Sequence, residues 1–131
     1  MSDPVSFAVR RVVPILRIFS EEKAREFYVD YLGMTVDWEH RFEPDTPVYM
    51  QVSRAGLVLH LSEHHGDGVP GTTVFLDVTE LAGLHRELHA KGYRYLRPGI
   101  ERMPWNAQQM VLIDPFGNKL RLNEYDRTSN G

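Results

Sequence analysis

Apolar residues recur along this chain in two rhythms that alternate at regular intervals. In "SEEKAREFYVDYLG", Ala24, Phe27, Tyr28, Tyr31 and Leu32 fall at i, i+3, i+4, i+7 and i+8 behind Ser20. That spacing predicts an amphipathic helix with a serine N-cap and a stop at Gly33. "TELAGLHRELHAKG" repeats the design from Thr79, with Leu81, Leu84, His85 and Leu88 on one face and Gly92 just past the end. Each helix follows a short β-branched run, "VVPILRIF" or "TTVFLDV", and precedes three strand-like stretches bounded by Gly, Pro, Asn and Asp. The order is βαβββ, twice.

The two halves also agree in register. Laying "LHLSE" on "LRLNE" sets Leu59 on Leu120 and Gly56 on Gly117. Alternate strand residues point to opposite faces, so Leu57, Leu59 and Leu61 go under the helix while Val58, His60 and Ser62 go the other way. Leu120 and Leu122 do the same in the second half and leave Lys119, Arg121 and Asn123 opposite. The expected fold class is therefore α+β: two tandem βαβββ modules, about 12–64 and 72–124, within one domain spanning 1–131. Their sheets would pack side by side as a partly closed barrel around a central cleft. Pseudo-symmetry then sets Arg121 across from His60.

Composition narrows the partners. A chain of 131 residues, 42% hydrophobic and 25% charged, suits one globular domain with a core of its own. Fifteen basic against eighteen acidic residues, with no polybasic block, argue against nucleic acid. The absence of cysteine excludes a disulfide framework, thiolate metal sites and a cysteine nucleophile. There is no signal-peptide order at the N-terminus and no apolar run near ~20 residues, so a soluble, cytoplasmic protein with no membrane partner is expected.

Candidate chemistry is sparse. "GLVLHLSEHHGDG" holds His60, His64 and His65, but its only acid next to them is Glu63, and "HHGDG" has the composition of a solvated turn. His85 and His89 stand four apart on the second helix and could clamp a metal, although Leu84 and Leu88 compete for the buried face. Trp38, His40 and Phe42 in "VDWEHRFEPD", and Trp105 in "MPWNAQQM", suit core packing, a dimer contact or ligand stacking equally. No Ser-His-Asp order, phosphate loop or spaced acid pair appears, which leaves His60 alone as a general base in any catalytic reading.

Three segments, "FYVDYLGM", "VFLDVTELAGLHRELHAKG" and "DPFGNKLRL", resemble the glyoxalase, bleomycin-resistance and extradiol-dioxygenase superfamily from about Val12 to Glu124. "VVPIL" and "MPWNAQQMVLIDPFGN" are most similar to the bleomycin-resistance branch, whose members bind drug without altering it. That branch's Trp-Gly-x-Arg-Glu is replaced here by Trp105, Asn106, Ala107, Gln108 and Gln109. The resemblance implies non-catalytic binding and sequestration of a small, bleomycin-type antibiotic, with Trp38, His40, Phe42, His60, Trp105, Gln109 and Arg121 at the ligand. Metal-dependent relatives draw ligands from the first and fourth strands of both modules. Those positions fall on Val13, Thr73, His60 and Arg121, of which only His60 could ligate, so no metal and no cofactor are implied. In bleomycin-resistance relatives the N-terminal strand is exchanged between subunits, and Pro14 stands at that pivot, which implies a homodimer. The alternative is a superfamily enzyme, a lyase or isomerase acting on a small molecule with or without a metal.

Overall fold

Both halves adopt the βαβββ order. The computed structural model describes residues 5–127. The first module is β1 (Ile15–Arg17), α1 (Glu21–Arg25) continued by a π-helical stretch (Glu26–Tyr31), β2 (Thr35–His40), β3 (Tyr49–Arg54) and β4 (Leu57–Ser62). The second is β5 (Thr73–Asp77), α2 (Leu81–Ala90), β6 (Glu101–Met103), β7 (Ala107–Ile113) and β8 (Lys119–Tyr125). Each module forms its own four-stranded sheet, in the orders β1-β4-β3-β2 and β5-β8-β7-β6. In each, the first and fourth strands pair in parallel and the other pairs are antiparallel.

The first helix buries all five of its expected apolar positions, and Ser20 Oγ accepts from the Lys23 backbone N–H at 3.2 Å. Its second half departs from α geometry: the Leu32 N–H reaches back to the Phe27 carbonyl at 2.9 Å. The wider turn admits the neighbours Phe27 and Tyr28 to the core together, edge to face at 4.8 Å. The second helix starts later than the sequence suggests. Thr79 does not cap it; Glu80 occupies the N-cap in the left-handed region at φ 58°. The Glu124 carboxylate, from the end of β8, accepts from the Glu80 and Leu81 N–H groups at 3.0 and 3.1 Å. An acid from a neighbouring strand thus supplies both the acceptor and the negative charge a helix start favours.

The modules join through their helix sides. Tyr31 stacks on Tyr93 at 4.5 Å, and Lys91 Nζ donates to the Asp30 and Tyr31 carbonyls. Arg54 makes a two-pronged pair with Glu87 at 2.7 and 2.8 Å. Deepest in the joint, the Tyr28 hydroxyl donates to Asp114 Oδ2 at 2.6 Å. One core takes Leu59 and Leu61 from the first sheet and Leu120 and Leu122 from the second, as the alternation predicts. The opposite faces stay uncovered: Ile15, Trp38, Phe75, Trp105 and Ile113 are each about two-fifths to one-half exposed.

Residues 5–14 form no strand, and Val5, Phe7, Val9 and Val12 along them are largely exposed. Pro14, which lacks an N–H for a ladder, precedes β1 and lends its carbonyl to the His60 N–H at 3.0 Å. The turn "HHGDG" folds back beneath this point. A Cβ on Gly68, at φ +74°, would come within 2.8 Å of the Ile15 carbonyl, so only glycine fits. No helix among the described residues is long and apolar enough to cross a membrane.

Candidate functional site

The open face of the first sheet is a row of side chains set by strand register. Ile15 opposes His60, His60 opposes Gln51, and Gln51 opposes Trp38. A bulge between Val36 and Trp38 makes the row possible. With Val36 opposite Val52 on the core side, strict alternation would turn Trp38 inward too. The extra residue puts Asp37 and Trp38 together on the open face.

These groups form one network with defined proton positions. Gln51 Nε2 donates to Asp37 Oδ2 at 3.0 Å, which leaves Gln51 Oε1 to accept from Arg11 Nη2 at 3.2 Å. His60 Nε2 lies 3.0 Å from the same Oε1 and must donate to it, so Nδ1 is the bare nitrogen that accepts the Tyr49 hydroxyl at 2.7 Å. His60 is thus a neutral imidazole with both nitrogens engaged. Its pKa lies below the ordinary histidine value, first through burial and then through the nearby Arg11 guanidinium. Asp37 also stays ionised to lower pH than usual, chiefly because Gln51 and Ser53 donate to it. Trp38 stacks nearly parallel on Tyr49 at 5.9 Å and meets His60 edge-on at 5.2 Å. The result is an aromatic wall beside a preset polar floor.

The second sheet presents a different face. Asp77 opposes Asn123 and Asn123 opposes Gln109; one row along, Phe75 opposes Arg121 and Arg121 opposes Val111. Trp105, in the turn before β7, lies over the first row and donates Nε1–H to Asn123 Oδ1 at 3.0 Å. Gln109 Nε2 donates to the same oxygen at 3.3 Å. Asn123 is wholly buried and Gln109 nearly so.

The structure brings Trp38 and His60 together and joins Trp105 to Gln109 through Asn123. His40 opposes Tyr49 at the outer end of the first face and meets Phe42 edge-on at 5.5 Å, with Phe42 80% exposed. Arg121 is exposed on the second sheet. The cation that acts on His60 is Arg11, not Arg121, because the two halves keep separate sheets and the N-terminal segment runs past the first. Tyr49, Gln51 and Asp37 complete the network around His60, and Asn123 joins Trp105 to Gln109, beyond the candidate residues expected from the sequence. The signal for two of them was legible: pairing "YMQVSR" with "LVLHLS" across the turn at Ala55 and Gly56 puts Tyr49 and Gln51 on the face of His60. The bulge that turns Asp37 has no sequence mark.

A metal does not suit these positions. The residues opposite His60 and Arg121 are Ile15 and Phe75 rather than Val13 and Thr73, and neither pair supplies a ligand. Both nitrogens of His60 are already engaged. His85 and His89 point Nε2 at one carbonyl, that of Pro98, at 3.1 and 2.9 Å, and so tie α2 to the following loop. His64 and His65 lie in the turn. A cavity of about 570 Å³ opens at the end of the first sheet, beside Arg17, Phe19, Arg41 and Glu63, and contains none of the expected site residues.

Residues 3–129 match the model of a glyoxalase superfamily protein, and the chain belongs to that superfamily. Solved structures share its architecture. A bleomycin resistance determinant encoded on the transposon Tn5 is 21% identical, over 90% of this chain and 99% of that one, with a TM-score of 0.69. A bleomycin-binding protein complexed with bleomycin is 22% identical over 90% and 100% of the two chains, with a TM-score of 0.70. A bleomycin-binding protein from Streptomyces verticillus, complexed with copper(II)-bleomycin, is 23% identical over 94% and 100%, with a TM-score of 0.64. At these identities the likeness is one of fold. No curated protein matches the sequence.

Proposed function

We propose that this chain binds a small aromatic molecule of the antibiotic type and sequesters it unaltered, in a cleft that two copies complete. The observation that carries this reading is the pair of uncovered sheet faces, each with a half-exposed tryptophan above oriented polar groups. Ligand clefts combine apolar and aromatic walls with a few placed polar atoms, and a second copy would supply the facing wall. The bleomycin-binding structures of the same fold support the ligand class. The exposed apolar side chains of residues 5–12, ahead of Pro14, support a homodimer with exchange of the N-terminal segment. A cysteine-free chain suits the cytoplasm.

Sequestration fits better than catalysis because His60, the one candidate base, has its lone pair held by Tyr49 and its N–H by Gln51. On the ligand, His60, Trp38 and Trp105 would form the walls, with His40 and Phe42 at the rim and Gln109 and Arg121 on the second face. Calorimetric titration with bleomycin tests the reading, followed by mass spectrometry of the recovered drug. Saturable binding with the drug unchanged is expected; no binding, or a modified drug, would overturn it. Sedimentation at micromolar protein should give twice the chain mass, and a monomer would remove the shared cleft. Chelation with EDTA should leave the melting temperature unchanged, whereas a native-state metal would make it fall.

A further inference from the structure

We propose that the slot beneath Trp105 recognises a carboxamide-type group of the ligand, one that presents a carbonyl acceptor beside an N–H donor. This rests on the ligand-binding reading above and gives it a chemical identity.

The argument starts from the indole, which can only donate. The atom it meets at 3.0 Å must be Asn123 Oδ1, so the orientation of that amide is settled. Gln109 Nε2 donates to the same oxygen, which settles the second amide. Two atoms are left over: Asn123 Nδ2, a donor, and Gln109 Oε1, an acceptor. Both are buried and have no partner among the described residues. Their side chains oppose each other across β7 and β8, so the spare donor and the spare acceptor flank one shared bond.

Burying an unmet donor or acceptor destabilises a fold, and an apolar pair here would avoid that cost. The arrangement makes sense if something else completes it. A ligand carbonyl would take the hydrogen of Asn123 Nδ2 while the adjoining N–H donates to Gln109 Oε1. A carboxylate offers no donor, and an ammonium offers no acceptor. Trp105 covers the slot with one hydrogen bond and a half-exposed ring, next to Asn106 in the left-handed region at φ 59°. The ligand therefore has to displace the indole, whose ring is then free to stack on it.

The test uses 2-naphthamide and methyl 2-naphthoate, which share a ring system but differ in the N–H. The chain has two tryptophans, so its two indole N–H signals in NMR, assigned with Trp105→Phe, report directly on the slot. The amide is expected to shift the Trp105 signal and to bind about tenfold more tightly than the ester, or better. Gln109→Met, which removes the acceptor that only the amide's N–H can use, should abolish that preference, whereas Asn123→Asp, which replaces the donor to the carbonyl that both probes carry, should weaken both. Equal binding of the two probes, a preference that survives Gln109→Met, or affinities that Asn123→Asp leaves unchanged overturns the proposal and leaves the ligand cleft standing. If neither probe moves the Trp105 signal the proposal also fails; bleomycin binding in the same sample then shows whether the cleft itself has failed with it.

Discussion

At the rows through His60 and Asn123, the two open faces share a backbone plan and differ in how complete their hydrogen bonding is. On the first, Tyr49, His60, Gln51 and Asp37 satisfy one another, and every proton has one possible place. On the second, Gln109 and Asn123 meet at a single oxygen and leave a donor and an acceptor unmatched beneath Trp105. The helix sides show no such contrast: Leu59 and Leu61 do for one sheet what Leu120 and Leu122 do for the other. The repeated plan fixes the core, and specificity is free to diverge on the side that the core does not use. The row through His60 comes preset and the row through Asn123 keeps capacity in reserve.

The largest effect should come from the joint on which both faces rest. Asp114 is buried and accepts from the Tyr28 hydroxyl, from the Phe116 and Asn118 backbone N–H groups and from Asn118 Nδ2, all between 2.6 and 2.9 Å. Burial and the adjacent carboxylate push the Tyr28 pKa far above its ordinary range, so the hydroxyl keeps its proton and donates at any working pH. Asp114→Ala would strand that hydroxyl and the turn amides, and should cost about 3 to 5 kcal/mol in denaturant unfolding. If it costs under about 1 kcal/mol, the joint is replaceable and the two faces are held by the rest of the core.

Trp105 sharpens the contrast from the ligand's side. Trp105 is 45% exposed, so Trp105→Ala should destabilise by less than the ~3 to 5 kcal/mol of a buried aromatic truncation. It should weaken an aromatic ligand by about 1 to 3 kcal/mol, by analogy with base stacking on aromatic side chains. The reverse pattern, with unfolding hit hard and affinity untouched, would make Trp105 a packing residue.

A matched pair of glutamine substitutions tests the difference in completeness. Gln51→Leu leaves Asp37, His60 and Arg11 each short of a partner and should cost about 1 to 3 kcal/mol. Gln109→Met gives up one long bond and removes an unmet acceptor, so it should be within about 0.5 kcal/mol of neutral, or stabilising. Equal costs at the two sites would erase the distinction between the faces.

How far the sequence reaches follows the same divide. The helix faces, the leucine alternation and the order of elements were legible because burial imposes periodicity, and periodicity is visible in one dimension. "DPFGNKLRL" was legible as a family mark, yet its role here is structural: Asp114 closes the turn and Asn118 Nδ2 reaches the Arg17 carbonyl of the other module. What escaped were features made by two distant segments at one point. The bulge that turns Asp37 outward, the Glu124 carboxylate capping α2 and the approach of Arg11 to Gln51 all belong to pairs that no local pattern announces. The proposed site residues are of both kinds. His60 followed from strand alternation, whereas Asn123 looks like one more outward polar residue until Trp105 is seen to cover it.

The smallest expected effect concerns pH and asks whether the first face is as preset as its hydrogen bonds imply. His60 titrates below the usual histidine range in the folded chain, while in the unfolded chain it takes up a proton near pH 6.5. Between those two values the unfolded state holds more protons than the folded one, so stability should fall as pH drops below about 6.5. Protonation would put a hydrogen on Nδ1, turn the Tyr49 contact around and bring two cations together at Arg11. The Tyr49 hydroxyl can rotate to accept, which keeps the loss small. His60→Gln retains hydrogen-bonding capacity without a titrating ring, so its stability should decline less between pH 7.5 and 5.5 than that of the parent chain; the other histidines contribute alike to both. Identical slopes would mean that His60 titrates as in the unfolded chain. Ring ¹⁵N shifts at pH 7 give the matching check: a neutral ring protonated at Nε2 supports the Tyr49-to-His60-to-Gln51 order, and a ring protonated at Nδ1 alone would reverse every donor assigned along it.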